Sequence, residues 1–222
     1  MPQRLAIACA LLALHTAQPA QRQALDARFI GNMAVAITDG TTTVISDFPY
    51  QSGYSSYMTY DAAEIRSATS ATLVLITHRH SDHWEPSLFA KTSWSVAGPD
   101  DVVTGIAPAR VVSLKSPAKF GAAQIEPIQT PHAGIGHYSY VVTWLGRRLY
   151  FSGDTESPEH LITLKNLDVA FVSPWLLRYV LKTGAKIDAR QVVIYHHRSG
   201  ERVAECAAAC LVPRQGQAIA IR

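Results

Sequence analysis

The chain is 222 residues long, 48% apolar, with a formal net charge of +3. That is enough apolar chain to bury one full core, and the length favours a single domain. The cations are scattered, Arg147-Arg148 being the nearest approach to a cluster, so no nucleic-acid-binding stripe is visible and no nucleic-acid partner is expected.

At the N-terminus, "MPQR" is followed by the apolar run "LAIACALLAL", Leu5 to Leu14, and by the small residues of "HTAQPA". This is the pattern of a secretory signal peptide, and the run is too short to span a bilayer. Residues 1–20 are read as the signal and 21–222 as the working domain, periplasmic or secreted, with no stable membrane association once the signal is removed. Export leaves Cys206 and Cys210 of "ECAAAC". An oxidising compartment allows them to bond, but a spacing of four within one helix is awkward, so two small apolar residues on one helix face are expected.

Within the working domain, "MAVAITDGTTTVISDF" (Met33 to Phe48) is two β-rich runs joined at Asp39-Gly40, a hairpin signal. "PYQSGYSSYMTY" reads as a loop and "DAAEIRSA" as a short helix. "ATLVLIT" is a continuous apolar run suited to a buried strand, and it leads straight into His78. "WSVAGP", "ARVVSLK" and "AAQIEPIQT" read as short strands, the last delivering His132. "YSYVVTWLG" and "RRLYFSGD" form a hairpin around Gly146 that ends at Asp154. "HLITLKNL" is predicted as a helix, "DVAFVSP" as a strand, "ARQVVIYHH" as the last strand, ending at His196 and His197, and "GERVAECAAACLV" as a closing helix. No repeat or interior linker interrupts this order, in keeping with one domain.

Strands therefore end at Asp47, at the His78 cluster, at His132, at Asp154 and at His196-His197. In a layered α/β fold such ends share a rim, where ligands bind, so these residues can converge. The stretch "HRHSDH", residues 78–83, has the chemistry for it. Imidazole and carboxylate are ligands for zinc and related divalent ions. His78 and His80 alternate along an extended end and can point to one side, whereas Asp82 and His83 are adjacent and address neighbouring targets. That spacing suits two metals better than one.

"HRHSDH" resembles the HxHxDH signature of the metallo-β-lactamase superfamily. "RFIGNMAVAITDGTTTVISDF" is similar to that family's opening hairpin and first-motif aspartate, "TPHAGIGHYSY" to its third motif, "LYFSGDT" to its fourth and "VVIYHH" to its last. The motifs occur in the family's order along most of the working domain. The resemblance implies an α/β fold, the four-layer αββα metallo-β-lactamase sandwich, in a single domain. It implies that His78, His80 and His132 hold a first metal, that Asp82, His83 and the terminal histidine hold a second, and that Asp154 bridges them. Two choices stay open: His132, favoured after Pro131, against His137, which would then support the site or face substrate; and His196, marginally preferred, against His197. Asp47 is expected to orient a ligand rather than bind metal.

His80 in place of glutamate argues against the di-iron oxygen-reducing branch, and no cysteine stands at a ligand position. "FIGNMAVAI" and "LDVAFVSPW" are most similar to the compact branch of lactonase-like and phosphodiesterase-like hydrolases. The expected activity is hydrolysis of a small-molecule ester, lactone, amide or phosphodiester. Two Zn2+ per chain are expected, iron or manganese being the other candidates, with a bridging hydroxide as nucleophile and Asp82 as proton acceptor. The alternative is an iron-dependent, sulfur dioxygenase-like oxidoreductase on the same fold. Tyr50 to Tyr60 are considered as a lid, Trp84 and Trp175 as pocket walls, and His197 and Arg198 as contacts to an anionic group.

Overall fold

Along β4 (Ala71–Leu75), Leu73 and Leu75 enter one apolar cluster while Val74 and the following Ile76 enter another. Strand β10 (Leu167–Val172) divides in the same way, with Val169 and Phe171 on one side and Ala170 and Val172 on the other. Successive strand residues point to opposite faces, so both strands are buried on both sides, and their runs are continuously apolar for that reason.

The computed structural model describes residues 24–51, 58–60, 63, 71–206 and 210–221. Strands β1 (Asp26–Gly31), β2 (Ala34–Thr38), β3 (Thr42–Ser46), β4, β5 (Ser95–Ala97) and β13 (Ala218–Ala220) make one sheet, in the order β13-β1-β2-β3-β4-β5. Strands β6 (Ala118–Phe120), β7 (Ala123–Gln129), β8 (Tyr138–Trp144), β9 (Arg147–Phe151), β10, β11 (Ala189–Ile194) and β12 (Cys210–Leu211) make the second, in the order β12-β11-β10-β9-β8-β7-β6. Phe29, Val35 and Leu73 of the first sheet meet Val142, Phe151 and Phe171 of the second in the central layer.

Helices α1 (Pro86–Phe89) and α2 (Asp100–Val103) cover the first sheet's outer face through Phe89 and Val102. Helices α3 (Glu159–Thr163) and α4 (Pro174–Lys182) cover the second through Leu161, Leu176 and Val180. The result is a single-domain αββα sandwich of four layers.

The predicted hairpins at Asp39-Gly40 and Gly146 are present, as β2-β3 and β8-β9. Other expectations need correction. "ARVVSLK" is a 3-10 turn, Pro108–Arg110, followed by one isolated bridge from Val111 to Val96, because Pro108 and the turn hold the chain off the sheet edge. "HLITLKNL" is helical only to Thr163, and Leu167 already belongs to β10. Helix α4 was not foreseen. The expected closing helix does not describe the C-terminal segment: Ala204 and Glu205 form a turn, Cys210 begins β12 parallel to β11, and Cys206 and Cys210 are joined by a disulfide with Cα atoms 5.2 Å apart. Once the chain leaves helical geometry, the spacing of four no longer disfavours the bond. The predicted signal (1–20) and nearly all of the predicted helix at 61–68 lie outside the described residues.

Candidate metal centre

Strands β3 and β4 are parallel, as are β9, β10 and β11, and β7 runs with β9 because each is antiparallel to β8. Their C-terminal ends therefore lie on one rim, carrying Asp47, His78, His132, Asp154 and His196. Two hydrogen bonds clamp the sheets together there: Tyr140 Oη donates to the Ile76 carbonyl at 2.7 Å, and the Tyr138 N–H to that of Thr77 at 2.9 Å.

Three overlapping groups of donor atoms result, each with its atoms within 4.8 Å of one another: His78, His80 and His132; Asp82, His83 and His196; and His78, His83 and Asp154. In the first, His78 Nε2 lies 2.9 Å from His80 Nδ1, which is 3.4 Å from His132 Nε2. In the second, His196 Nε2 lies 3.3 Å and His83 Nε2 3.6 Å from Asp82 Oδ2. Asp154 stands between the sets, with Oδ2 3.3 Å from His83 Nε2 and Oδ1 3.5 Å from His196 Nε2.

Outer contacts decide which ring nitrogen faces inward. Thr77 Oγ1 is 3.1 Å from His78 Nδ1, leaving its Nε2 to the centre. Asp47 Oδ2 lies 3.3 Å from His83 Nδ1, while its Oδ1 accepts the Thr77 N–H at 2.7 Å. Asp47 thus orients His83 from behind. Asn32, which residue-by-residue reading of the sequence passed over, donates Nδ2 to the Asp82 carbonyl and accepts the His196 N–H on its own carbonyl, both at 2.7 Å. Its left-handed φ of +49° makes this double contact possible, and the Gly31-Asn32 turn signal was the available clue.

The paired alternatives separate on geometry. Both nitrogens of His137 are taken: Nδ1 lies 2.8 Å from Thr130 Oγ1, and Nε2 accepts the Asp154 N–H at 3.0 Å. His137 belongs to none of the three groups; it fixes the backbone that carries Asp154. His197 stacks on Phe29 at 5.6 Å, places Nδ1 3.0 Å from the Arg198 carbonyl and also lies outside the groups. Trp175 flanks His196, ring centroids 4.9 Å apart, and donates Nε1 to the Asp154 carbonyl. Trp84 does not wall the site: it is buried against Phe89 in the outer core, because it follows the turn that reverses the chain. Tyr50 is buried and donates Oη to the Met58 carbonyl, packing rather than covering the rim, while residues 52–57 lie outside the described residues.

Burial pushes His137 down to about 3, with the neighbouring His132 adding to the effect, so it is neutral and able to accept the Asp154 amide. His78 is also held neutral, by burial and then by His83. Burial opposes ionisation of Asp154, but the facing His83 and His196 outweigh it and leave the carboxyl below the usual range. Asp82 follows the same balance through His196 and His83. His83 Nε2 and Asp154 Oδ1 are buried with no hydrogen-bond partner. Leaving such atoms unsatisfied costs roughly 1–3 kcal/mol each, and an inward-facing imidazole and carboxylate are the donors a divalent cation takes. The residues present therefore fit one. A cleft of about 600 Å³ opens beside the centre, lined by Pro131, His132, Ala133, Gly134, Glu156 and Ser157.

A family model described as the Beta-lactamase superfamily domain matches residues 27–174, which span four of the five motif regions. The chain belongs to the metallo-β-lactamase superfamily. Solved structures share the metallo-β-lactamase sandwich. A metallo hydrolase of the archaeon Ignicoccus hospitalis superposes with a TM-score of 0.67 at 16% identity, over 88% of this chain and 97% of that one. A metallo-β-lactamase-fold protein of Bacillus subtilis gives 0.64 at 14%, over 88% and 99%. The di-iron β-hydroxylase of Streptomyces venezuelae gives 0.56 at 15%, over 81% of this chain and 46% of that one. No curated protein sequence matches this chain.

Proposed function

We propose that this chain is an exported metallo-hydrolase using two zinc ions to cleave an ester, lactone, amide or phosphodiester of a small molecule. The observation that supports the reading is the position of Asp154 between the His78-His80-His132 and Asp82-His83-His196 donor groups, with its Oδ1 and His83 Nε2 buried and unsatisfied. His78, His80 and His132 would hold one ion, Asp82, His83 and His196 the other, and Asp154 both. Bound there, the metals supply a water acidified to near neutrality and a Lewis acid for the substrate oxygen.

The protein's own share is positional. Asp47 and Thr77 fix the ring faces, Asp82 stays ionised beside His196 and can take up a proton at Oδ2, and Trp175 screens His196 from solvent on one side. The cleft beside His132 admits substrate next to the first set. Export is supported by the apolar run at Leu5–Leu14 and by the Cys206–Cys210 disulfide, which suits an oxidising compartment. The iron-dependent oxidoreductase is the competing reading, given the di-iron neighbour.

Elemental mass spectrometry on protein purified without chelator, beside Asp154→Ala, decides between them. About two zinc per chain, falling in the variant together with turnover on a panel of lactones, β-lactams and phosphodiesters, is the expected result. Iron at about one per chain would favour the oxidoreductase, and no bound metal under replete conditions would sink the proposal.

A further inference from the structure

The rim opposite the metal centre gathers residues that the hydrolase reading does not use. Because β9, β10 and β11 are parallel, Arg147, Arg148, Asp168 and Arg190 near their N-terminal ends lie together. The nearly buried Asp168 is shared by Arg147 at 3.2 Å and Arg190 at 3.4 Å, and it accepts the Arg148 N–H at 2.8 Å. The Arg148 guanidinium donates to the Lys165 carbonyl in the adjoining turn. Two guanidiniums thus pair with one carboxylate, with Arg148 and Lys165 beside them, and Arg190 keeps 71% of its side chain in solvent. Asp188, just before β11, leaves the balance positive.

Beside this cluster is the tip of the β8-β9 hairpin. Trp144 pairs with Arg147, so the loop is Leu145-Gly146 alone, with φ of +48° and +76°. Asn, Asp or Gly takes the first of these positions easily, whereas a leucine there is strained and stands 37% exposed. Among the described residues the other exposed large apolar side chain is Leu181, in the last turn of α4, the helix end that leads back toward this rim. A strained, partly exposed leucine next to a basic cluster is not what this turn asks for by itself.

We propose that this rim docks on an anionic lipid surface, with the arginines at the headgroups and Leu145 entering the interface. Cations near a negatively charged leaflet and a shallow apolar insertion are the two attractions peripheral binding combines. Single-stranded nucleic acid is the less suitable partner, because among the described residues the exposed large apolar side chains include no aromatic ring on which a base could stack. On this proposal the chain would visit a membrane surface even without its signal, where the sequence reading expects no stable membrane association. The docking is peripheral, for no helix among the described residues is long and apolar enough to cross a bilayer.

The test is co-sedimentation of the full chain with phosphatidylcholine vesicles, with or without phosphatidylglycerol, at low and high salt, with a single-stranded RNA oligonucleotide as a separate probe. Wild type is compared with Leu145→Asn and with the double variant Arg148→Gln/Arg190→Gln. Binding is expected to need the anionic lipid and to weaken in salt, with the arginine pair reducing it roughly 25-fold, at about fivefold per cation. Leu145→Asn should reduce it several-fold while melting no lower than wild type, since Asn suits the left-handed turn; misfolding then cannot explain the loss. Absence of wild-type binding overturns the proposal. So does binding to neutral vesicles that neither variant changes, which would belong to the apolar N-terminal run, and so does binding to the RNA in place of the vesicles.

Discussion

Gly153 shows how closely single residues are held at the centre. It has a φ of +59°, and a Cβ there would stand 2.4 Å from His137 Nε2 and 2.8 Å from the Thr77 Cβ. Gly153→Ala should cost about 2–4 kcal/mol, from the left-handed backbone and the overpacking together, read as a lower midpoint in urea. Asp47 is also left-handed, at +43°, and its carboxylate holds His83. Asp47→Asn should leave the fold standing and lower divalent-metal affinity about 10–100-fold, measured by competition with a chromophoric chelator. An unchanged affinity would show that His83 needs no such support. Asp47 was visible in the sequence as a strand-end acid, but Asn32 and Gly153 carry no chemistry of their own, and their importance lies in what they touch.

Helix α4 shows why an element escaped the sequence reading. "PWLLRYVLK" follows directly on the strand run "DVAFV", and its helical period, with Pro174, Leu176, Leu177 and Val180 on the buried face, covers only nine residues and merges with the apolar run before it. The start signal was nonetheless there: Ser173 caps the helix by accepting the Leu176 N–H at 3.2 Å, and Pro174 occupies the first turn. Ser173→Ala should cost about 1 kcal/mol by thermal melting. At the edge of the same sheet the disulfide closes a short loop onto β12. Replacing both Cys206 and Cys210 by serine should cost about 2 kcal/mol on loop entropy, and reductant should destabilise wild type but not the variant. The short edge strands β6, β12 and β13 have two or three residues each, too few to show alternation.

The interior as a whole sets the response to alkali. Burial pushes Tyr150 up to about 12, whereas in the unfolded chain a tyrosine ionises near 10. The unfolded state therefore loses its proton first. The stability that Tyr150 contributes is full below pH 10 and is lost between 10 and 12, about 3 kcal/mol in all. Tyr150→Phe should flatten part of that slope, followed by circular dichroism alongside phenolate absorbance.

The same difference of scale separates what was legible along the chain from what was not. Strand alternation, the hairpin turns and the ligand chemistry of "HRHSDH" are local properties, because side-chain direction and donor type follow from a residue and its near neighbours. They were enough for the strand-end candidates, and the resemblance of the five motifs to the metallo-β-lactamase superfamily implied the αββα architecture and the set Asp47, His78, His80, Asp82, His83, His132, Asp154 and His196. That His132 and not His137 joins the donor groups turned on Thr130 and the Asp154 amide, which occupy both nitrogens of His137. That His196 and not His197 joins them turned on Phe29 and Asn32, from the far end of the chain. The basic rim likewise forms only where parallel strands bring Arg147, Arg148 and Arg190 into line. Such outcomes depend on contacts between distant segments, and no spacing along the chain encodes them until packing brings those segments together.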